Sequence, residues 1–336
     1  MLKVAVIGLG DVSGIHLEAI RNSSEAELVA VCDIDESRKE AAPDVNFYTD
    51  YLEMLDKEDL NCVHVCLPHY LHFPVTKACV EKGIHVYLEK PMTKDVYEGV
   101  ELVEFCRKHP NVKVCVSLQN RFNDSFVEMQ RIIDSEELGK VVGIKGLVVW
   151  NRPKAYYDVK PWRGLMKYAG GGVMINQAIH TMDQMQVIGG EIESIRGTVD
   201  QLVNYGYEVE DTATAHIRFK SGATGVFFAT TTYTNNSSVE LQVILEKGKL
   251  TIKDFMLFIT DSDGNKQPIK EDAKLPGTKF YYGASHNVLI GKFYKAIIEN
   301  TDDYVHVEDG LITMEMIDAI YKSSNLKIPI SMEVYR

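Results

Sequence analysis

The stretch Lys3-Val4-Ala5-Val6-Ile7-Gly8-Leu9-Gly10-Asp11-Val12-Ser13-Gly14, followed by Ile15, Leu17 and Ile20 at helical spacing, decides how this chain is read. An apolar β-branched run is a buried strand, and it passes through glycines straight into a helix. Gly8 permits a tight turn there. Gly10 removes the side chain that would keep a pyrophosphate from the backbone, at the positive end of the helix. The spacing Gly8-x-Gly10-x-x-Ser13-Gly14 departs from the usual third glycine or alanine, although serine is small enough for close packing. Gly8, Gly10, Asp11 and Val12 are the candidate cofactor-facing positions. Glycine turns end many strands, so the residues further along the chain carry the decision.

Asp33 ends the second apolar run, about 20 residues beyond the turn, where a carboxylate accepts hydrogen bonds from both ribose hydroxyls of an adenosine. A 2′-phosphate would meet that negative charge, which favours NAD over NADP. Arg38 lies near enough to keep NADP open as the lesser reading. Pro68 and His72 follow the fourth strand and Glu89-Lys90-Pro91 follows the fifth, all at carboxyl ends, the edge where ligands bind in an open parallel sheet. Proline disfavours helix at the residue before it, so Lys90 is held extended. Beside a positively charged nicotinamide and partly desolvated, a lysine loses proton affinity and suits proton transfer at neutral pH.

Up to about Gln119 short β-branched runs alternate with helical stretches, the rhythm of a doubly wound α/β sheet. The expected strands are 3–8, 27–33, 46–48, 62–68, 85–89 and 113–118, with helices clearest at 71–82 and 94–109. Beyond it a helix near 125–135 precedes period-two strands near 141–151, 193–203, 212–220, 223–232 and 239–246, two of them joined by Ser221-Gly222. Helices follow at 286–299 and 308–324. An exposed loop is expected over Asp261–Thr278. Two domains result: residues 1–120 bind the dinucleotide, and 121–336 form an α+β domain with a mostly antiparallel sheet.

The 336 residues, 45% hydrophobic and 25% charged, are those of an ordinary globular protein. A net charge of -12 leaves no broad basic surface for a phosphate backbone, which argues against a nucleic-acid partner. The N-terminal apolar run is far shorter than the roughly 20 residues of a bilayer span, so a cytoplasmic protein without membrane contact is expected. The six cysteines lie in apolar runs and read as reduced core thiols. No residues are assigned to a metal.

In the second domain Gly170-Gly171-Gly172 leads into a helix over 173–187. At about 100° per residue Asn176, His180 and Asp183 share one stripe, while Ala178, Ile179, Met182 and Met185 form an apolar face. The glycines let another group approach the helix start. Tyr156-Tyr157 and Trp162-Arg163-Gly164 suit either a sugar-binding surface or ordinary packing. His64 and His85 read as core histidines, and His16 as a structural residue of the first helix.

Together these features resemble the Gfo/Idh/MocA family, named for glucose-fructose oxidoreductase and inositol 2-dehydrogenase. The resemblance rests on the glycine turn with His16 behind it, Pro68 and His72, Glu89-Lys90-Pro91, the Tyr156 to Gly164 stretch and the glycine-led helix with His180 and Asp183. It implies a Rossmann domain followed by an open-faced sheet used for oligomer contacts, as a homodimer or homotetramer. It further implies that Lys90 is the catalytic lysine, that His180 binds and polarises the substrate, and that Asn176, Asp183, Trp162 and Arg163 line its site. Many members carry aspartate at the position of Asn176, whose amide is neither acid nor base. The expected activity is hydride transfer between NAD and a hydroxyl-bearing carbon of a sugar, sugar derivative or cyclitol. The alternatives are reduction of an aldehyde or unsaturated ring, and a catalytically silent NAD sensor.

Overall fold

The computed structural model describes residues 1–274 and 284–336. The chain divides into two compact units, Met1–Gln119 with Ser285–Leu311, and Asn120–Ala284 with Ile312–Arg336. The sequence suggests a single crossing near residue 120; the observed division is discontinuous. Its cause is the helix Ser285–Glu299, whose apolar residues Leu289, Ile290, Phe293 and Tyr294 are fully buried. The segment that follows returns to the first sheet, where the Val116 N–H donates to the Val305 carbonyl at 2.9 Å.

The first unit is built on strands β1 (Leu2–Ile7), β2 (Ala26–Cys32), β3 (Asn46–Tyr48), β4 (Cys62–Val65), β5 (His85–Leu88) and β6 (Val114–Val116). They form one sheet in the order β3-β2-β1-β4-β5-β6, with every pairing parallel. Helices α1 (Ser13–Arg21), α2 (Tyr51–Lys57), α3 (His69–Glu81) and α4 (Val96–Arg107) connect them. Val4, Val6, Val63, Val65 and Val86 are fully covered, because helices lie over both faces of such a sheet. Each such side chain contributes about 1.5–3 kcal/mol by leaving water. The strand order reverses between β1 and β4, and the glycine turn opens at that reversal.

The second unit contains α5 (Asp124–Asp134), β7 (Val141–Val149), α6 (Lys154–Asp158), α7 (Met166–Ala169), α8 (Ile179–Gly189), β8 (Ile192–Asp200), β9 (Thr212–Phe219), β10 (Thr224–Thr230), β11 (Glu240–Leu245), β12 (Gly248–Lys253), β13 (Met256–Asp261), β14 (Lys266–Glu271) and β15 (Ile330–Ser331). Its nine strands run β14-β13-β12-β11-β7-β10-β9-β8-β15, antiparallel throughout except between β10 and β7. Strand β9 alternates strictly: Ala213, Ala215, Ile217 and Phe219 point inward, and Thr214, His216 and Arg218 outward. The inward face lies against α8, where a Cβ on Gly146 would meet the Met185 Sδ at 2.5 Å. The outward face leaves Val226 and Ile244 exposed.

The loop expected over Asp261–Thr278 is corrected in its first part. Asp261 ends β13 and Lys266–Glu271 forms β14, an exposed edge strand beyond an Asp261–Asn265 turn. Lysines and a proline hid a strand that pairs along one edge only. Residues 275–278 of that expected loop lie outside the described residues. All six cysteines are thiols and five are buried; burial pushes Cys32 up to about 12, which leaves it unreactive. Among the described residues no helix is long and apolar enough to cross a membrane.

Candidate active site

In the first unit the glycine turn is held from below and open above. Gly8 has φ +91°, and a Cβ there would lie 2.6 Å from the Cys66 carbonyl oxygen, so this position accepts only glycine. At Gly10 an added Cβ would meet nothing within 4 Å. A cleft of about 510 Å³ begins at Leu9, Gly10, Asp11, Ser13 and Gly14 and runs along α1 to Arg21 and Asn22. The Asp33 carboxylate stands against the same turn: Oδ2 accepts the Leu9 N–H at 2.7 Å and Oδ1 the Asp35 N–H at 3.0 Å. Asp11 is exposed, Val12 precedes the first turn of α1, and Pro68 precedes that of α3. Arg38 lies on an exposed turn with its Nε 3.6 Å from Asp35.

Lys90 is half-buried immediately after β5, with a cis bond to Pro91. Its neighbours differ from expectation. Glu89 is 5% exposed, and its Oε1 accepts from His16 Nε2 at 3.0 Å with His286 Nε2 at 3.7 Å. Successive strand residues face opposite ways, so a strand end that presents Lys90 turns Glu89 inward. Burial opposes the charge of Glu89, but the hydrogen bond from His16 and the nearby His286 imidazole outweigh it and hold the carboxyl well below the usual range. His72 is likewise sealed: Nδ1 lies 2.6 Å from the Pro91 carbonyl and Nε2 2.7 Å from that of Leu67. The sequence suggests that Glu89 and His72 face a cofactor; in the structure both contact backbone or side chains around Lys90.

Behind Glu89 the polar chain continues through the core. His16 Nδ1 lies 2.8 Å from His64 Nδ1, and His64 Nε2 lies 2.8 Å from the Tyr294 hydroxyl. Burial pushes the His64 imidazole well below its ordinary value, so it is neutral. His16, Glu89 and His286 bring ligand atoms within 4.8 Å of one another, a spacing seen in metal centres. The 3.0 Å contact of His16 with Glu89 is that of an N–H donating to a carboxylate, and it satisfies both groups without a cation.

In the second unit the expected continuous helix over 173–187 starts as a π-turn, Met174–Ala178, before α8. The wider turn alters the stripe read at 100° per residue. Asn176 and His180 remain half-exposed, whereas Asp183 is 1% exposed and gripped by Arg121, Nε to Oδ2 at 2.9 Å and Nη2 to Oδ1 at 2.7 Å. Asp183 is therefore engaged in a buried ion pair with Arg121. The start of the helix is seeded by one residue, Glu210. Its Oε2 accepts the Gly172 N–H at 2.8 Å, its Oε1 the Met174 N–H at 3.1 Å, and its backbone carbonyl the Val173 N–H at 3.1 Å. A Cβ on Gly172 would lie 1.9 Å from that carbonyl oxygen, which explains the glycine run. The Tyr321 hydroxyl also donates to Glu210.

Tyr156 divides from Tyr157. Tyr157 is buried with Ala169 and Val209, and Trp162 packs on that cluster. The Tyr156 hydroxyl accepts from Asn176 Nδ2 at 3.1 Å and Gln177 Nε2 at 3.3 Å. The Arg163 guanidinium lies 4.1 Å over its ring and 5.9 Å from that of Trp162. Sequence reasoning missed Glu210, Arg121, His286 and the link from His16 to Glu89. Each acts across a long chain separation, and only the periodic burial of His286 on an apolar helix face signalled its place.

Two family models match the chain: the "Oxidoreductase family, NAD-binding Rossmann fold" over residues 2–118 and the "GFO/IDH/MocA C-terminal domain" over residues 126–251. Among curated proteins the chain is similar to the myo-inositol 2-dehydrogenase of Thermotoga maritima, 24% identical over 99% of both chains. It is also similar to the inositol 2-dehydrogenase of Salmonella typhimurium, 26% identical over 62% of this chain and 70% of that protein. Among solved structures, the WlbA dehydrogenase of Bordetella pertussis, in complex with NADH and UDP-GlcNAcA, superposes with a TM-score of 0.85 at 25% identity, covering 98% of each chain.

Proposed function

Because the chain belongs to the GFO/IDH/MocA family of NAD-binding oxidoreductases, we propose that it oxidises a secondary hydroxyl of a sugar, sugar derivative or cyclitol, or reduces the matching carbonyl. The residues at the glycine turn fit a dinucleotide: the space above Gly10 is open, α1 points its amide end there, and Asp33 supplies the carboxylate. NAD bound there supplies the hydride acceptor or donor.

Every other step falls to side chains. Lys90 Nζ takes the proton of the substrate hydroxyl as the carbon loses hydride, and returns it in the reverse direction. His180 hydrogen-bonds substrate oxygen, and Asn176, ordered by Tyr156, binds a neighbouring hydroxyl. Arg163 and Trp162 contribute to the same polar and aromatic surface, on which a sugar face stacks. The observation that carries this reading is Lys90, half-buried just beyond the carboxyl end of β5, in the sheet that carries the glycine turn. The named substrates of the relatives, a cyclitol and a nucleotide-linked sugar acid, support the substrate class.

The open outer face of the nine-stranded sheet, with Val226 and Ile244 exposed, supports assembly as a homodimer or homotetramer. The six cysteines, all thiols, support a reducing, cytoplasmic setting. The test is a screen of polyols, cyclitols and nucleotide sugars with NAD and NADP, read at the nicotinamide absorbance. Turnover with a polyol that falls about 100-fold or more in Lys90→Ala, with NAD binding retained, is the expected result. Unchanged turnover in that variant removes Lys90 from the mechanism. NAD binding with no turnover across the panel would make the protein a sensor, and a strong NADP preference would overturn the role of Asp33.

A further inference from the structure

We propose that His72, His16 and His286 are positioning residues that clamp the backbone on either side of Lys90 and thereby aim its amine. The inference rests on the catalytic reading of Lys90 and adds a device that residue requires. A lysine carries its ammonium on a flexible four-carbon stem, so the backbone from which it grows sets where that stem starts and how it is directed. Here that backbone is tied on both sides by buried imidazoles from three different helices.

On the amino-terminal side, Glu89 is drawn inward to His16 of α1 at 3.0 Å and to His286 of the helix Ser285–Glu299 at 3.7 Å. The second carboxylate oxygen of Glu89 accepts the Lys90 N–H itself at 3.3 Å. On the carboxyl-terminal side, His72 of α3 reaches the Pro91 carbonyl at 2.6 Å and, with its other nitrogen, the Leu67 carbonyl at 2.7 Å. His72 thus sits between the end of the Lys90–Pro91 segment and the loop that leaves β4, and as a neutral imidazole it donates one hydrogen bond, to one of the two carbonyls. His16 and His72 are fully buried and His286 is 1% exposed.

The proton arrangement behind Glu89 follows from its charge. A carboxylate only accepts, so His16 Nε2 carries the hydrogen. With His64 neutral and its hydrogen on Nδ1, His16 Nδ1 accepts from His64, and the bare His64 Nε2 accepts from the Tyr294 hydroxyl. Every donor in this chain points toward Glu89, and every acceptor in it is used. Such a network has one satisfied arrangement and fixes its members. Displacing a reacting group by about 1 Å costs on the order of 100-fold in rate, which is the scale on which a clamp acts.

The test is a double-mutant cycle on the full-length protein with NAD and the best polyol of the screen. His72→Phe and His16→Phe are each made alone and on a Lys90→Ala background. Each single variant is expected to lower kcat about 10- to 100-fold while KM and the NAD dissociation constant change less than about threefold. His72→Asn and His16→Asn, which keep a donor, recover most of the loss. On the Lys90→Ala background the histidine substitutions cost less than about threefold, because there is no amine left to aim. Equal losses on both backgrounds, or full kcat in the single variants, overturn the clamp. If a phenylalanine variant fails to fold, His72→Ala and His16→Ala carry the same cycle. Failure of the catalytic reading is distinct: Lys90→Ala then retains wild-type turnover.

Discussion

Two glutamates, one in each unit, are buried to nearly the same degree and are driven in opposite directions. Glu89 is 5% exposed and Glu210 4%. Glu89 is held well below the ordinary carboxyl value, whereas burial pushes Glu210 above it even with four hydrogen bonds on the residue. The difference lies in the donors. Glu89 faces two imidazoles, and the hydrogen bond from His16, with the His286 ring beside it, outweighs desolvation. Glu210 faces backbone amides and a phenol, which offer dipoles only. Each solution suits its place. The charged carboxylate anchors the strand end beside Lys90, and the amide-bound one starts the distorted helix that carries Asn176 and His180.

The largest expected effect comes from deleting the charged member. Glu89→Ala leaves buried imidazole donors without their acceptor and should cost about 3–5 kcal/mol in urea denaturation. Glu89→Gln should cost more than Glu210→Gln, since only the first loses a charge its neighbours require. Equal costs for the two glutamine variants would break the contrast. Next come the pH slopes. The lowered Glu89 contributes stability that is present above its unfolded value of 4.5 and is lost as pH falls through its folded value. Buried His64, His72 and His286, all lowered from 6.5, likewise withdraw stability as pH falls below about 6.5. The raised Glu210 acts the other way, its contribution being present below 4.5 and lost as pH rises through its folded value. Thermal melts from pH 2 to 8 should therefore lose slope below pH 4.5 in Glu89→Gln and lose the decline above pH 4.5 in Glu210→Gln; matching slopes in both variants would refute the assignment.

The smallest expected effect is at the substrate surface. Tyr156→Phe removes the acceptor shared by Asn176 and Gln177 and should cost about 1 kcal/mol, read as a loss in kcat/KM of under about tenfold with the fold intact. A loss of 100-fold or more would move Tyr156 from ordering Asn176 to direct work on the substrate.

The parallel sheet was legible residue by residue, with β3 matching its expected span and the other first-unit strands differing at their ends. Continuous apolar runs and glycine punctuation are local signals, and a buried parallel strand has few other ways to read. The edge strand β14 was not legible, because its Lys266, Gln267, Pro268 and Lys270 pair along one side and bury nothing. In the candidate site Lys90, His180 and Asn176 were found through strand ends and helical spacing. Asp183 was assigned to the polar surface because a regular helix puts it there; the π-turn at Met174–Ala178 and Arg121 took it inside. His72 and Glu89 were named for their place at strand ends, but their ring and carboxylate turn to Lys90's own backbone.

By itself the sequence determined the two fold types and the dinucleotide turn, because each depends on neighbours within a few positions: a glycine before a helix, a carboxylate ending a strand. Tertiary structure alone decided which polar residues face outward and which hold others in place. Those choices depend on partners 48 to 73 positions apart for His16, His64 and Glu89, and 36 to 38 apart for Glu210 and its helix. A buried charge is set by what surrounds it in space, and spacing along the chain does not encode those surroundings.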